Sequence, residues 1–582
     1  QQLKPMGPLD FEELIDVYKE QIRYITEAGA DLLVVETMMS LQESRAALIA
    51  AKETCPDIPV MVTMTFESDG RSLFGTDAAT AAIVLSSLGA DAVGANCSTG
   101  PDQMAEVIRR MAKVTDIPII AKPNAGLPSL DEKGQTVYDM GPEEFGADME
   151  LLLDAGAQIL GGCCGTTPEH IRKMTHRLAG RPVPVHGNPT QRALTSERAS
   201  LTFDLDGPFL IVGERINPTG KKKLQQELRE GSFELVTQFA QEQEERGASI
   251  LDVNMGMSGI DEKAMMLQAL EEVAGVTKLP LSIDSSHVDV QEEALRRYPG
   301  RALINSISLE SEKFEKLLPL AKKYGAMFVL LPLSDEGLPK NLNEKISIIE
   351  KIVARALELG MKKTDIIVDG LVATVGANKQ AALETLETIR YCHRNGLATT
   401  CGLSNISFGL PERSCVNSAF LTMAIASGLT MAIANPSQDI LVGAAFASDL
   451  LLNKEDSDIR YIEFSGQAKE RREEADAKKE ALLRQSLQAS EGSTVTANQP
   501  GNTEVQGGAA RQKAAGAKTP QQQAAERVRE AVLKGKRKIA EDLTKKALEA
   551  GNSPQERLHG QLRPAIKEVG ELCDKGKDFL RQ

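Results

Sequence analysis

The stretch TDIIVDG, residues 364–370, is a short apolar run that ends in an acidic residue and is followed by a stretch with helical spacing. Apolar runs separated by helices are typical of parallel strands that are covered on both faces. Eight such units over roughly 250 residues predict a complete (β/α)8 barrel of the TIM type. The eight runs are PFLIVGE (208–214), ASILDVNM (248–255), PLSIDSS (280–286), ALINSIS (302–308), AMFVLLP (326–332), TDIIVDG (364–370), LATTCGLS (397–404) and GLTMAIAN (428–435).

The same alternation occurs earlier in the chain, with five units. Because a TIM barrel has eight, and because the chain starts with an amphipathic helix that already leads into a strand, we expect a barrel whose first part precedes Gln1. The fold class is therefore α/β, with two TIM-type barrels, the first truncated at its N-terminus. The five runs are DLLVVET (31–37), IPVMVTMTF (58–66), ADAVGANC (90–97), IPIIAKPN (117–124) and AQILGGC (157–163).

Composition changes after the second series of strands. Low-complexity sequence rich in Gln, Ala, Gly and Ser replaces the apolar runs, and helical spacing returns near the end of the chain, which predicts a tether followed by a partial all-α helical bundle. The predicted domains are a first barrel at 1–182, a linker at 183–205, a second barrel at 206–455, a helical and low-complexity linker at 456–523 and a helical bundle, truncated at its C-terminus, at 524–582.

Charge and composition narrow the classes of function. The net charge of −15 argues against nucleic acid or an anionic membrane as a partner, and eight cysteines in 582 residues do not form a disulfide framework. With no signal peptide visible, we expect a cytoplasmic protein. The most apolar stretch, residues 418–435, is interrupted by Ser427 and Gly428, so a buried helix followed by a buried strand fits it better than a membrane span.

Three cysteines are predicted to meet at the mouth of the first barrel. Cys97 ends one strand run, and Cys163 with Cys164 ends another; barrel enzymes keep their chemistry at these strand ends. Three thiolates with a fourth position open are a catalytic zinc arrangement, suited to holding an incoming thiol as thiolate for alkyl transfer. A pair of small buried cysteines without a metal is the alternative.

The strand ends of the second barrel carry carboxylates and carboxamides with little positive charge. Such a set suits a flat heterocycle with an amide-and-amine edge, because Asp accepts from adjacent N–H groups while Asn both donates and accepts. Each residue taken singly could instead cap a helix. The residues are Glu214, Asn217, Asp252, Asn254, Asp284, Asn305, Asp369, Asn405 and Asn435.

The motifs VVET, GANCSTGP, KPNAG and GGCCGTTPEHI together resemble the homocysteine-binding barrel of the cobalamin-dependent methionine synthase family. The resemblance covers about residues 10–180. It implies that Cys97, Cys163 and Cys164 bind zinc, which presents homocysteine as a thiolate. It also implies that Glu36 holds the amino group of homocysteine and that Asn124 lines the same pocket.

The motifs GERINPTG, DVNMG, SIDSS, INSIS and GLSNISFGLP resemble the pterin-binding barrel of the same family. The resemblance implies that 5-methyltetrahydrofolate binds here. Asp284, Asn305 and Asp369 would hold the pterin, with Glu214 and Asn217 at its edge and Asn405 near N5. Asp252 joins the pterin-binding set, and the resemblance makes Asp284, Asn305 and Asn405 the catalytic residues.

The tail around LTKKALEAG and LRPAIKEVGELCDKGKDFL resembles the helical cap that covers methylcobalamin in this family. Cys573 and Leu580 stand where the family places an aromatic residue and a leucine over the cobalt-bound methyl group. No D-x-H-x-x-G motif occurs, so we expect the corrinoid-binding domain to lie in cis beyond Gln582.

The resemblance implies a methyltransferase that moves a methyl group from 5-methyltetrahydrofolate via cobalamin to zinc-bound homocysteine, which forms methionine and tetrahydrofolate. Its cofactors would be zinc and cobalamin. Two alternatives stay open: a methyltetrahydrofolate–corrinoid protein methyltransferase with a separate corrinoid partner, and a module whose zinc site is purely structural.

Overall fold

The computed structural model describes residues 3–4, 6–186 and 191–491. Residues 1–483 belong to one compact unit. The predictions for the segment after residue 491 and for the helical tail, including Cys573 and Leu580, lie outside the described residues.

Five parallel strands form the first sheet, as the five predicted units require. Its elements are α1 (Phe11–Glu27), β1 (Leu33–Met38), α2 (Leu41–Thr54), β2 (Val60–Met64), α3 (Ala78–Ser87), β3 (Ala92–Asn96), α4 (Pro101–Ala112), β4 (Ile119–Lys122), β5 (Pro128–Leu130), β6 (Thr136–Tyr138), α5 (Pro142–Ala155), β7 (Ile159–Leu160) and α6 (Pro168–Leu178). The strands lie in the order β1-β2-β3-β4-β7, and each pair of neighbours is parallel.

Local sequence explains where these elements start and how closely they pack. Asp10 accepts a hydrogen bond from the backbone N–H of Glu12 at 3.0 Å, and the Glu13 carboxylate accepts one from the backbone N–H of Asp10 at 3.3 Å, so a capping box starts α1. Gly94 lets β3 lie close to β4, because a Cβ atom there would be 1.9 Å from the carbonyl oxygen of Ile120.

Strands β5 and β6 form an antiparallel hairpin that the apolar pattern did not predict. The hairpin lies between β4 and α5, and its residues are exposed or half-buried. Short strands without a buried face carry no apolar run, so only the folded chain reveals them. The hairpin brings Tyr138 to the C-terminal edge of the first sheet.

Eight parallel strands form the second barrel, and each matches one predicted run. Its elements are β10 (Leu210–Ile216), α7 (Lys222–Arg229), α8 (Glu234–Glu245), β11 (Ile250–Asn254), α9 (Glu262–Val276), β12 (Leu281–Asp284), α10 (Val288–Arg297), β13 (Leu303–Leu309), α11 (Ser311–Tyr324), β14 (Met327–Ser334), α12 (Leu342–Glu358), a 3-10 turn (Lys363–Asp365), β15 (Ile366–Asp369), α13 (Ala381–Arg394), β16 (Ala398–Thr400), a 3-10 turn (Leu403–Ser407), α14 (Arg413–Ala426), β17 (Met431–Ala434) and α15 (Asp439–Leu451).

The second barrel closes between its seventh and eighth strands. The strand order is β16-β15-β14-β13-β12-β11-β10-β17, and a parallel bridge joins Gly402 to Ile433 across the remaining gap. The backbone N–H of Ile433 donates to the carbonyl of Cys401 at 2.9 Å. The α/β class is therefore confirmed, with the predicted complete barrel in the second half of the described chain.

A second hairpin, β8 (Arg192–Thr195) paired with β9 (Ser200–Phe203), covers the N-terminal end of this barrel. Leu194 and Phe203 pack in one cluster with Leu210, Ile250 and other residues near the N-terminal ends of the barrel strands. Arg192–Phe203 lies inside the predicted linker at 183–205, so this part is an ordered cap and not a bare connection. Its four-residue strands contain too few apolar residues to be read as part of a core.

Charged side chains join helices of the first sheet to helices of the second barrel. Arg296 on α10 donates to Glu12 at 2.8 Å and to Glu53 at 2.7 Å, and the Lys323 ammonium lies 2.9 Å from the Glu53 carboxylate. Burial alone would raise the pKa of Glu53, but hydrogen bonds from Arg296 and two lysines lower it to about 2. Arg45 on α2 is 1% exposed and donates to a backbone carbonyl of α10 at 3.0 Å.

The apolar stretch 418–435 forms most of α14 and all of β17, as predicted. Helix α16 (Ser457–Glu491) follows α15, and its Phe464 ring packs edge-on against Phe446 with centroids 5.3 Å apart. Within the described residues, no helix combines the length and the apolarity that crossing a bilayer requires.

Replacing Arg296 by Met should destabilise this interface by about 2 kcal/mol or more, because Glu53 would lose hydrogen bonds in a half-buried position. The measurement is the Tm by differential scanning calorimetry at pH 7. Arg355→Met is the matched control, because Arg355 pairs with Glu358 on an exposed helix face and such pairs contribute below about 1 kcal/mol. Equal Tm values for the two variants would contradict the predicted role of Arg296.

Candidate functional site

The three predicted thiols meet at the C-terminal edge of the first sheet. Cys97 follows β3, while Cys163 and Cys164 follow β7. The Cys97 and Cys164 sulfur atoms are 3.8 Å apart, those of Cys163 and Cys164 are 3.9 Å apart, and all three lie within 4.8 Å of one another. In the described part of the chain this is the one group of three or more thiol, imidazole or carboxylate ligands that lie so close together.

These separations fit tetrahedral zinc. Zn–S bonds of about 2.3 Å in a tetrahedron place neighbouring sulfur atoms about 3.8 Å apart. Three protein ligands leave one position for a substrate, which is the arrangement of catalytic zinc sites, whereas structural sites are closed by a fourth protein ligand. The donor set and its geometry are therefore suitable for zinc with an open position.

Backbone hydrogen bonds hold the three cysteines against the segment that follows β4. The N–H of Cys97 donates to the carbonyl of Lys122 at 3.0 Å, and the N–H of Cys163 donates to the carbonyl of Pro123 at 2.8 Å. The N–H of Cys164 donates to the Asn124 side-chain oxygen at 3.1 Å. Asn124, predicted to line the homocysteine pocket, is buried and positions the cysteine loop in this structure.

The thiols have different proton affinities. Burial, followed by the neighbouring Cys97, raises the pKa of Cys163 to about 11. A hydrogen bond from the Tyr138 hydroxyl lowers the pKa of Cys164. Since one thiolate disfavours ionisation of its neighbours, a cation bound among the sulfur atoms would favour their thiolate forms.

Tyr138 and Asn96 belong to this site, and neither was singled out from the sequence. The Tyr138 ring lies against the backbone after Cys164, where a Cβ on Gly165 would be 2.4 Å from the ring. Asn96 is buried, and its amide lies 3.8 Å from the Cys163 sulfur. Asn96 is the last residue of β3 and directly precedes Cys97, so its strand-end position could have predicted a place in the site. The position of Tyr138 depends on the hairpin of β5 and β6, which the apolar pattern did not predict.

Glu36 lies on β1 and forms an ion pair with Lys122 at the end of β4. The side chains are 40% and 22% exposed, so the pair faces open space beside the cysteines. The side chain of Ser40 caps the N-terminus of α2, so Glu36 is not the capping residue of that helix. Lys122 stands in the quoted motif KPNAG, but its pairing with a distant strand was not predicted.

In the second barrel, the predicted strand-end residues form a hydrogen-bonded group. The Asp252 carboxylate accepts from Ser282 at 2.6 Å and from the Asn305 amide at 3.1 Å. The Asn254 amide donates to Asp284 at 2.9 Å. The structure thus joins Asp252 to Asn305 inside β11 and β13, and Asn254 to Asp284 at the C-terminal ends of β11 and β12.

Burial raises the pKa of every carboxyl in this group. For Asp252 burial and the neighbouring Asp284 raise the pKa to about 8, and burial also raises the pKa of Asp284. Asp369, at the end of β15, has its pKa raised by burial to about 6, although it accepts a hydrogen bond from the backbone of Leu371 at 2.7 Å. Burial likewise raises the pKa of Glu214. Burial therefore favours the protonated forms of these carboxyls, most strongly for Asp252.

Three predicted amides have less distinctive surroundings. Asn217 and Asn435 accept from backbone N–H groups two residues later, at 2.9 and 3.0 Å, which are local turn contacts. Asn405 lies in the 3-10 turn after β16 and is exposed at the mouth of the barrel. Their proposed contacts with a pterin stay predictions.

The expectation of little positive charge was wrong at one edge of this site. Lys221 and Arg413 are close enough to Glu214 to lower its pKa, though burial outweighs them. Both cations lie at the starts of helices α7 and α14 and not at strand ends, which is why reading the strand ends missed them.

Three family profiles match the chain in succession. Residues 2–178 match homocysteine S-methyltransferase, residues 213–435 match pterin binding enzyme, and residues 524–582 match a B12 binding domain. The thiol group lies in the first region, the carboxylates lie in the second, and the third lies outside the described residues.

Two curated methionine synthases are similar to this chain. Methionine synthase of Mycobacterium tuberculosis strain H37Rv is 30% identical over 455 residues, and that of Mycobacterium leprae strain TN is 30% identical over 460 residues. Together, the three profiles and these relatives support a cobalamin-dependent methionine synthase. Each alignment covers 75% of this chain, and the chain spans 38% of the length of each of these methionine synthases.

Solved structures similar to this chain include dihydropteroate synthases. The enzyme from Yersinia pestis covers 45% of this chain and 98% of its own, with 21% identity and a TM-score of 0.35. The enzyme from Thermus thermophilus covers 45% of this chain and 100% of its own, with 22% identity and a TM-score of 0.36. Scores this low do not bear on function.

Replacing Cys97 by Ala should reduce zinc binding from about one ion per chain to well below that, because two thiolates and water replace a three-thiolate site. Zinc released to a chromogenic chelator after denaturation gives the stoichiometry. Cys415→Ala is the control, because Cys415 is exposed on α14 in the second barrel. Full zinc occupancy in the Cys97 variant would exclude this thiol as a ligand.

Replacing Asp252 by Asn should stabilise the fold increasingly as pH rises. The pKa of Asp252 is raised on folding, so its contribution to stability is full below the unfolded value near 4 and is lost as pH rises through about 8. The Tm difference between variant and wild type should therefore grow from pH 5 to pH 8 and then level off. Asp57→Asn, at an exposed loop position, provides a comparison that should remain flat.

Proposed function

We propose that this chain carries both catalytic barrels of a methyltransferase that moves the methyl group of 5-methyltetrahydrofolate through cobalamin to homocysteine. The observation that carries the proposal is the thiol group, with sulfur separations of 3.8 and 3.9 Å, in the region that matches homocysteine S-methyltransferase. The products would be tetrahydrofolate and methionine. Zinc, cobalamin and both substrates are parts of the proposal.

In the first barrel, Cys97, Cys163 and Cys164 would hold zinc. Bound zinc supplies a positive charge that keeps the homocysteine sulfur ionised at neutral pH, where a free thiol with a pKa near 8.5 is mostly protonated. The loop contacts of Asn124 keep Cys164 in place, and Glu36 offers a carboxylate to the ammonium group of the substrate. The thiol proton would leave to solvent when homocysteine binds, and the sulfur would then accept the methyl group while the bond from the methyl group to cobalamin breaks and the electron pair stays with cobalamin.

In the second barrel, Asp284, Asn305 and Asp369 would hold the pterin, with Asp252, Glu214 and Asn217 around them and Asn405 near N5. The Asp369 carboxyl is a suitable acceptor for adjacent N–H groups of a pterin. N5 of the methylated substrate is a tertiary amine, and it is a poor leaving group unless it is protonated or strongly hydrogen bonded as the methyl departs, which leaves N5 as a secondary amine. The carboxyl and amide network, in which Asp252 retains a proton near neutral pH, supports that step.

The match of residues 524–582 to a B12 binding domain supports cobalamin handling by the chain itself over a separate corrinoid protein. Cys573 and Leu580 keep their proposed place over the cobalt-bound methyl group, and the corrinoid-binding domain in cis stays a prediction. We place the protein in the cytoplasm, without nucleic acid or membrane partners, consistent with seven free cysteines in the described part of the chain.

The decisive test separates the two halves of the reaction with two variants. Asp369→Asn should lower methyl transfer from 5-methyltetrahydrofolate to added cob(I)alamin by about tenfold or more, and leave methylation of homocysteine by added methylcobalamin unchanged. Cys97→Ala should do the opposite. Tetrahydrofolate and methionine are measured by chromatography, and each variant is the control for the other. Loss of both activities in either variant, or of neither, would contradict the assignment of one half-reaction to each barrel.

A further inference from the structure

The ion pair between Glu36 and Lys122 crosses the first sheet in a way that shows where both side chains point. Glu36 lies on β1 and Lys122 on β4, and β2 and β3 lie between them. Adjacent strands are about 4.8 Å apart, so the two backbones are separated by about 14 Å along the sheet. Their side chains meet only because the sheet curls, with both projecting from its concave face.

The pair is connected to the thiol group through the backbone and through Asn96. The carbonyl of Lys122 accepts from the N–H of Cys97 at 3.0 Å. Asn96 accepts from the N–H of Thr37, the residue after Glu36, at 3.0 Å, and its amide points to Cys163 at 3.8 Å. The charged pair and the sulfur atoms therefore belong to one rim.

A glycine keeps the lysine in this position. A Cβ atom on Gly161, in the GGCC motif, would lie 3.2 Å from Cγ of Lys122, which is tighter than ordinary packing allows. The Lys122 stem therefore lies against the strand that leads to Cys163 and Cys164, and its ammonium group reaches over toward Glu36.

Stability does not account for the pair. Both side chains are partly exposed, and exposed pairs of this kind contribute little to folding because solvent screens them. An opposite pair of charges on the rim of a ligand site does match a zwitterion, because the carboxylate can receive an ammonium group and the ammonium a carboxylate. An amino acid that binds here would replace the Glu36–Lys122 pair by two ion pairs, one between its ammonium group and Glu36 and one between its carboxylate and Lys122.

We propose that Lys122 binds the α-carboxylate of the amino-acid acceptor, as the counterpart of Glu36 at the α-ammonium group. The proposal rests on the proposed function of the first barrel, and it makes Lys122 a residue that selects amino-acid thiols over thiols without a carboxylate. In the substrate-free chain the two side chains pair with each other.

Three thiols that differ only in their charged groups test this proposal on the zinc-loaded full chain. They are homocysteine, 3-aminopropane-1-thiol, which lacks the carboxylate, and 4-mercaptobutanoate, which lacks the ammonium group. Isothermal titration calorimetry gives Kd for each. In Lys122→Met, Kd should rise about tenfold or more for homocysteine and for 4-mercaptobutanoate, because a charged hydrogen bond is lost. Kd for 3-aminopropane-1-thiol should stay unchanged or fall, since Glu36 is then unpaired.

Matched variants separate a binding role from a structural one. Lys122→Arg should restore most of the homocysteine affinity, while Lys113→Met, at the exposed end of α4, should bind all three thiols like wild type. Equal losses for the thiols with and without a carboxylate, or no loss for homocysteine, would overturn the role of Lys122. If wild-type chain with full zinc occupancy binds none of the thiols, the proposed function of the first barrel fails instead.

Discussion

Three thiolates within 4.8 Å of one another would repel each other, and a cation bound among them would offset that repulsion. This constraint organises the first sheet's C-terminal edge. Two separate strand ends must bring their cysteines to one point, and the loop after β4 must supply the carbonyl and amide oxygens that hold them there. The Glu36–Lys122 pair, Asn96 and Tyr138 surround the three sulfur atoms. The chemistry of this rim therefore depends on how the repulsion between the sulfur atoms is offset.

In the second barrel, burial of acidic groups and not repulsion between thiolates sets the electrostatics of the site. Its polar residues are carboxylates that share a buried interior, and burial favours their protonated forms. Amides and a serine hydroxyl satisfy the oxygens, so the group is held without a metal-type ligand set. One chain therefore combines a cluster of three thiols, whose geometry suits a cation, with a buried group of carboxyls and amides that exchange hydrogen bonds.

Apolar runs and strand ends predicted most of this arrangement. TDIIVDG becomes a strand from Ile366 to Asp369, and the three cysteines converge because parallel strands end at one edge. What the pattern missed lacks either an apolar run or a strand-end position. Tyr138 lies on an exposed hairpin, and Lys221 and Arg413 come from helix starts. Contact between Glu36 and Lys122 depends on sheet curvature, which spacing along the chain does not encode.

The hairpin of Arg192–Phe203 has a consequence for proton traffic in the second barrel. It fills the N-terminal end with apolar side chains such as Leu194 and Phe203, on the opposite side from the strand ends that carry Asp252 and Asp284. If a flat ligand binds at the mouth as proposed, it would separate these carboxyls from bulk water. The number of protons on them would then be fixed when the ligand binds, and the pH of the surrounding solution would set the charge of the site.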